Sequence, residues 1–197
     1  MADRNHLEAE RIITRTVGGS DSVTIHVAFL RAINVGGRRI SNVELGAAVE
    51  SLGYDDVAVY QASGNVLLGQ GPHNHEGQIA NHLSAGLSER LGYEVPAIVR
   101  SAAEVHEIAS AAPFRDRSPP PDSTPQVMLM ADAPDVDDVA ALSTGADQLA
   151  VVASEIHWWP TVGISTSDLD VRGLEARFGT MTVRTLGAIK RISARIA

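Results

Sequence analysis

The stretch Phe29-Leu30-Arg31-Ala32-Ile33-Asn34-Val35-Gly36-Gly37-Arg38-Arg39 decides how the chain is read. Leading into it, Val23 to Leu30 places apolar or β-branched residues on both alternating faces, the pattern of a central strand. The strand ends in a Gly-Gly turn ringed by one Asn and three Arg. Further on, a second strand over residues 55–61 leads into Gln61-Ala62-Ser63-Gly64-Asn65, and Val66-Leu67-Leu68 starts its return, a hairpin signal.

Around these turns the apolar periodicity predicts βαββαβ. Ser41 or Asn42 caps a helix with an apolar stripe of Val43, Leu45, Ala48, Val49 and Leu52, which Gly53 stops. Ile79, Leu83, Leu87 and Leu91 recur every fourth residue on a second helix ended by Gly92. A strand over 94–100 and a short helix over 104–109 behind Ser101 follow. That order is ferredoxin-like: an antiparallel sheet with two helices on one face. The fold class is α+β, with a second, smaller unit of βαββα plus a C-terminal helix. In that unit strands fall over 126–130, 148–152 and 155–159, with a helix over 135–142. Ser167 caps a helix over 168–178, residues 181–184 are extended, and a last helix spans 187–196. The domain organisation expected is a tail over 1–21, the ferredoxin-like unit over 22–115, a Pro-rich linker over 116–124 and the second unit over 125–197.

In a ferredoxin-like sheet the strand order is 4-1-3-2, so the end of the first strand lies beside the start of the third. Topology alone therefore gathers Arg31, Asn34, Gly36, Gly37 and Arg38 with Ser63, Gly64 and Asn65. Glycine lets backbone N–H groups turn outward, and Arg supplies a planar, permanently charged donor. The set suits a phosphate, a carboxylate or a partner's acidic side chain. A structural reading competes: Asn34 and Gly36-Gly37 form a plain turn, and Asn65 is a left-handed hairpin residue.

Composition narrows the alternatives. The 197 residues are 44% hydrophobic and carry a net charge of −8. Residues 1–115 hold 13 acidic and 9 basic groups and residues 116–197 hold 11 and 7, so neither part is basic. Duplex nucleic acid is not expected as a partner, since phosphate neutralisation supplies most of that affinity. RNA binding on the sheet is disfavoured by the aromatics, with Phe29 alone on the first strand and none on the return strand. The absence of Cys excludes disulfides, thiolate metal sites and Cys nucleophiles, and fits a cytoplasmic setting. No segment has the length and apolarity of a membrane span or secretory signal. No cofactor is expected: Gly36-Gly37 lacks the Gly-Lys-Ser/Thr of a phosphate loop, and Ser63 lacks the Gly-x-Ser-x-Gly elbow. His73-Asn74-His75-Glu76 falls short of a metal ligand set, so no metal is expected. Of Trp158 and Trp159 on one strand, at most one faces any single surface, and packing explains them. No constellation fixes a reaction, and nothing selects an oligomeric state.

The motifs also resemble a known family. Leu30-Arg31-Ala32-Ile33-Asn34-Val35-Gly36-Gly37, Glu44-Leu45, Leu52-Gly53-Tyr54 and Gln61-Ala62-Ser63-Gly64-Asn65-Val66 are similar to DUF1697, a bacterial family of uncharacterised proteins. Pro113-Phe114, Gly163-Ile164-Ser165-Thr166-Ser167-Asp168-Leu169 and Thr182 to Ile189 extend the likeness over about residues 23–195. Departures are local. Ala32 stands for the family's Gly, Thr166 and Asp168 for its Arg and Lys, and Thr185, Leu186 and Ala188 for its Asn, Trp and Thr; Arg184 is kept. The resemblance implies an α+β fold of two small units and no established reaction. It also implies that any shared activity resting on the C-terminal motif is altered here. The expectation is an anionic small ligand held by Arg31, Asn34, Gly36, Gly37, Arg38, Ser63, Gly64, Asn65 and Arg184. The alternative is a non-catalytic protein-interaction module whose polar turns are structural.

Overall fold

The computed structural model describes residues 25–61, 64–116, 123–160 and 164–197. The expected tail over 1–21, most of the Pro-rich linker and Ser63 lie outside them. The chain divides into two compact units: Met1–Ala103 with Ala194–Ala197, and Glu104–Ser193.

The first unit carries β1 (His26–Leu30), α1 (Asn42–Glu50), β2 (Ala58–Tyr60), β3 (Asn65–Leu68), α2 (Glu76–Leu91) and β4 (Ala97–Ser101), and α3 (Ala102–Ser110) follows. Its antiparallel sheet has the order β2-β3-β1-β4, the ferredoxin-like arrangement. Ser41 is the N-cap of α1 and closes a capping box: its Oγ accepts from Glu44 N–H at 3.2 Å, and Glu44 Oε2 accepts from Ser41 N–H at 2.9 Å. Those hydrogen bonds hold the Glu44 carboxyl below its ordinary pKa. Ala28, Leu30, Val66, Leu68 and Val99 on one sheet face pack with Leu45 and Val49 of α1 and Ile79, Leu83 and Leu87 of α2. Burying each of these large aliphatic side chains contributes roughly 2 kcal/mol.

The second unit repeats this plan in full. It carries β5 (Gln126–Met130), α4 (Val136–Ala140), β6 (Asp147–Val152), β7 (Glu155–Pro160), α5 (Val171–Phe178) and β8 (Met181–Thr185), with α6 (Leu186–Arg195) after it. The sheet order is β6-β7-β5-β8. Residues 181–184, read as merely extended, are the greater part of a strand paired with β5 over its whole length, so the unit is βαββαβ rather than βαββα. The register also repeats. His26 faces Leu68 and Ser101 as Gln126 faces Trp158 and Thr185. Ala102 N–H donates to Ile25 O and Leu186 N–H to Pro125 O, while Arg31 N–H donates to Pro96 O and Ala131 N–H to Thr180 O.

α2 and α3 start a few residues earlier than the sequence reading, at Glu76 and Ala102, and α5 starts later. The helix expected from Asp168 begins at Val171, because Asp170 is the side chain that caps it, accepting from Gly173 N–H at 2.9 Å. Ser167 instead donates to Asp147.

The inner strands β1, β3, β5 and β7 are buried along their whole length. Opposite the first core, Val27, Phe29, Leu67 and Ile98 are at most 5% exposed. In the second sheet the two tryptophans divide between faces as strand alternation requires: Trp158 joins the core of Met128, Met130, Ile156 and Leu174, and Trp159 lies on the other face with His157. His157 is buried, and among the described residues its Nε2 has no hydrogen-bond partner, nor has Trp159 Nε1. Burial pushes the His157 pKa down to about 4 from its ordinary 6.5. The unfolded chain therefore takes up this proton near pH 6.5 and the folded chain only near pH 4, so stability falls as pH drops through that window. The loss should reach on the order of 3 kcal/mol. Urea unfolding of wild type and His157→Phe at pH 7 and pH 4.5 should show a smaller acid-induced drop in the variant.

Candidate functional site

The loop after β1 is built from unusual backbone. Ala32, Asn34, Gly36 and Gly37 all have positive φ, at 59°, 56°, 60° and 83°. Only glycine takes such angles without strain, and Asn is the next most tolerant. A Cβ at Gly36 or Gly37 would meet nothing within 4 Å, so conformation and not crowding explains these two glycines. Asn34 holds the loop shut across six residues: its Nδ2 donates to Ile40 O at 3.1 Å and its Oδ1 accepts from Ile40 N–H at 2.8 Å. Arg39 closes it from the other side, with Nη1 donating to Asn34 O and Arg38 O at 3.1 and 2.7 Å. Val35, Gly36, Gly37, Arg38 and Arg39 form an exposed apex.

The turn before β3 meets this loop. Leu30 N–H donates to Gly64 O at 2.7 Å. Gly64 has φ of 74°, and a Cβ there would come within 3.0 Å of Ile33 Cγ1 and 3.1 Å of Leu30 O. Glycine is thus required twice over, by angle and by space. Asn65 is fully buried and donates from Nδ2 to Tyr60 O at 3.2 Å. Arg31 and Asn34 are half-buried, and each has further partners within the chain.

The nine expected residues therefore separate. Arg31, Asn34, Gly36, Gly37, Arg38, Gly64 and Asn65 belong to the first unit, where Asn34, Gly64 and Asn65 brace the two turns. Gly36, Gly37 and Arg38 stand at the exposed apex. Arg38 lies over the Tyr93 ring, 4.2 Å from its centroid, and among the described residues no carboxylate pairs with it. Tyr93 was not read as part of the site; its place just after the α2 stop at Gly92 was the only signal. Arg184 belongs to β8 of the second unit. It is half-buried, donates to Thr182 Oγ1 and Val183 O at 2.8 and 2.9 Å, and burial lowers its pKa to about 10. Arg100 on β4 makes the matching contact to Val99 O at 2.8 Å. Arg184 therefore occupies a repeated structural position, one shared with Arg100.

The His-rich segment is also accounted for within the first unit. The His73 ring lies edge-on to His82, Glu76 Oε1 is 3.6 Å from His26 Nε2, and His75 precedes α2. Among the described residues, no helix is long and apolar enough to cross a membrane.

Fold and loops together define an α+β protein of two ferredoxin-like units with a braced, Gly-Gly-tipped loop. Residues 23–157, more than half of the chain, match the family described as protein of unknown function (DUF1697), and the chain belongs to that family. Among solved structures it is similar to the conserved bacterial protein SP0830 from Streptococcus pneumoniae. That likeness has a TM-score of 0.69 and 18% identity, covers 89% of this chain and 99% of that one, and shows the fold alone. No curated protein matches the chain.

The brace is testable apart from any ligand. Gly64→Ala should destabilise the protein by about 2 kcal/mol, the sum of left-handed strain and overpacking against Ile33. Asn34→Ala should cost about 1 kcal/mol through the two lost contacts to Ile40. Chemical denaturation midpoints at pH 7 check both.

Proposed function

We propose that the protein binds a phosphate- or carboxylate-bearing small ligand at the apex Gly36-Gly37-Arg38. The observation that carries this reading is the exposed Arg38 guanidinium, held over Tyr93 with no acidic partner among the described residues. Stacking on the ring fixes the plane of the guanidinium and leaves its N–H fork available for an oxyanion. The positive-φ glycines beside it let backbone N–H groups approach the same anion. Asn34, Gly64 and Asn65 contribute by holding the loop in place rather than by touching ligand. A single exposed arginine with a few amides supports affinity of about 1 mM, or roughly 4 kcal/mol, weakened by salt.

A second reading is favoured by a separate observation. Asn34 and Asn65 are used by the chain itself, and two apolar side chains close in sequence are exposed, Val35 at 53% and Val43 at 64%. On this reading the turns are structural and the apex meets a protein partner.

Titration of inorganic phosphate, glucose 6-phosphate and citrate into labelled protein, followed through backbone amide shifts, decides between them. Saturable shifts at residues 35–38 that disappear in Arg38→Ala and persist in Arg172→Ala are expected. Shifts equal in both variants, or none at the apex, reject the anion site and leave the interaction reading.

A further inference from the structure

The second unit contains a hollow of about 680 Å³ that the loop-based reading does not use. Its size lies within the range of small-molecule sites, roughly 300–1,000 Å³. Its wall comes from the turn that follows α4 and from the segment that leads into α5, and it includes Leu142, Asp147, Asp168, Leu169, Leu174 and Arg177.

Asp147 is the unusual member. It is 2% exposed, and both of its side-chain donors, Trp158 Nε1 and Ser167 Oγ, go to the same oxygen, Oδ1, at 2.7 Å each. Among the described residues no donor reaches Oδ2. A buried carboxylate is costly unless a cation or several donors compensate it. The one cation in the wall, Arg177, is engaged elsewhere, with Nη2 2.8 Å from Asp138 Oδ1. Asp168 is exposed and has no basic partner among the described residues. Asp170 is occupied in capping α5. The hollow is thus lined by three carboxylates and one already paired arginine, with leucines on the remaining wall.

We propose that this hollow binds a small organic cation: an amine or guanidinium head group directed to Asp147 and Asp168, with an apolar body against Leu142, Leu169 and Leu174. The head group supplies a countercharge that no basic side chain among the described residues gives to Asp147. The ligand class is organic rather than metallic, because no group of three or more His, Asp or Glu among the described residues could hold a metal ion. The proposal is independent of the anion reading at Arg38. It also gives Ser167-Asp168-Leu169 a place: Ser167 orients Asp147, and the next two residues line the wall.

The probes are n-hexylamine, hexanol and hexanoate, matched in chain length and differing in charge, titrated at pH 7 with backbone amide shifts as the readout. Hexylamine should give saturable shifts at residues 144–147 and 168–173, with hexanol and hexanoate at least about tenfold weaker. Asp168→Asn should weaken hexylamine roughly threefold, the effect of one partly screened charge, with the circular dichroism spectrum unchanged. Asp147→Asn should abolish binding if it folds; Asp168→Asn keeps the test decisive if it does not. Hexylamine binding no tighter than hexanol, shifts outside these residues only, or an unaltered affinity in Asp168→Asn overturns the proposal.

Discussion

A strand buried on both faces can satisfy its backbone only through its neighbours, and the fold depends on that constraint. Water is excluded above and below β1 and β5, so each needs a hydrogen-bonding strand on either side. β1 takes β3 and β4; β5 takes β7 and β8. Every strand connection then follows. The return strand of each hairpin must enter the middle of the sheet, the other hairpin strand is left at the edge, and the loop after the first strand must lie beside the hairpin turn. The Leu30 to Gly64 hydrogen bond is the local expression of that rule, and the left-handed glycine is what lets the chain come close enough to make it.

The same constraint explains why the two units agree in register with little common sequence. The repeated features are backbone pairings and the hydrogen bonds that start α3 and α6, and these tolerate any side chain of suitable burial. One side chain does recur: Arg100 and Arg184, each one residue before the strand's last, both donate to the preceding carbonyl. A partly buried guanidinium needs oxygen acceptors, and the strand end supplies one. The place of Arg184 is thus explained by the fold, through the same contact that Arg100 makes in the first unit.

The sequence carried the first unit well because its signals are local and strong. Alternation marked β1, a four-residue spacing marked α2, and glycines marked the ends of α1 and α2. The second unit was harder to read for physical reasons. Several Ser and Asp residues, any of which can cap, compete before α5, and only geometry selects Asp170 over Ser167. β8 is short and polar at its end, so its role as a full strand appears only through its pairing with β5. The meeting of the two turns was legible from topology. The use made of each residue there was not, because Asn34 and Asn65 look the same in sequence whether they hold a ligand or a carbonyl.

Separating those uses gives a rule for the rest of the molecule. A residue whose identity the fold already requires is poor evidence for a ligand. Gly64 is required by angle and space, Asn65 by Tyr60 O, Asn34 by both polar groups of Ile40, and Arg184 by its repeat position. What remains after that subtraction is small: the Arg38 guanidinium over Tyr93, and the Asp147 carboxylate in its hollow, which no cation meets among the described residues. The first is exposed and inexpensive to keep, since water solvates it when nothing else does. The second is nearly buried, and both of its side-chain donors go to Oδ1, so a cation in the hollow would add compensation on the side of the other oxygen. Such a group, with no counterion among the described residues and beside a hollow large enough to admit one, gives the stronger physical reason to look for a ligand. The strongest sequence motif and the strongest energetic anomaly therefore lie in different units.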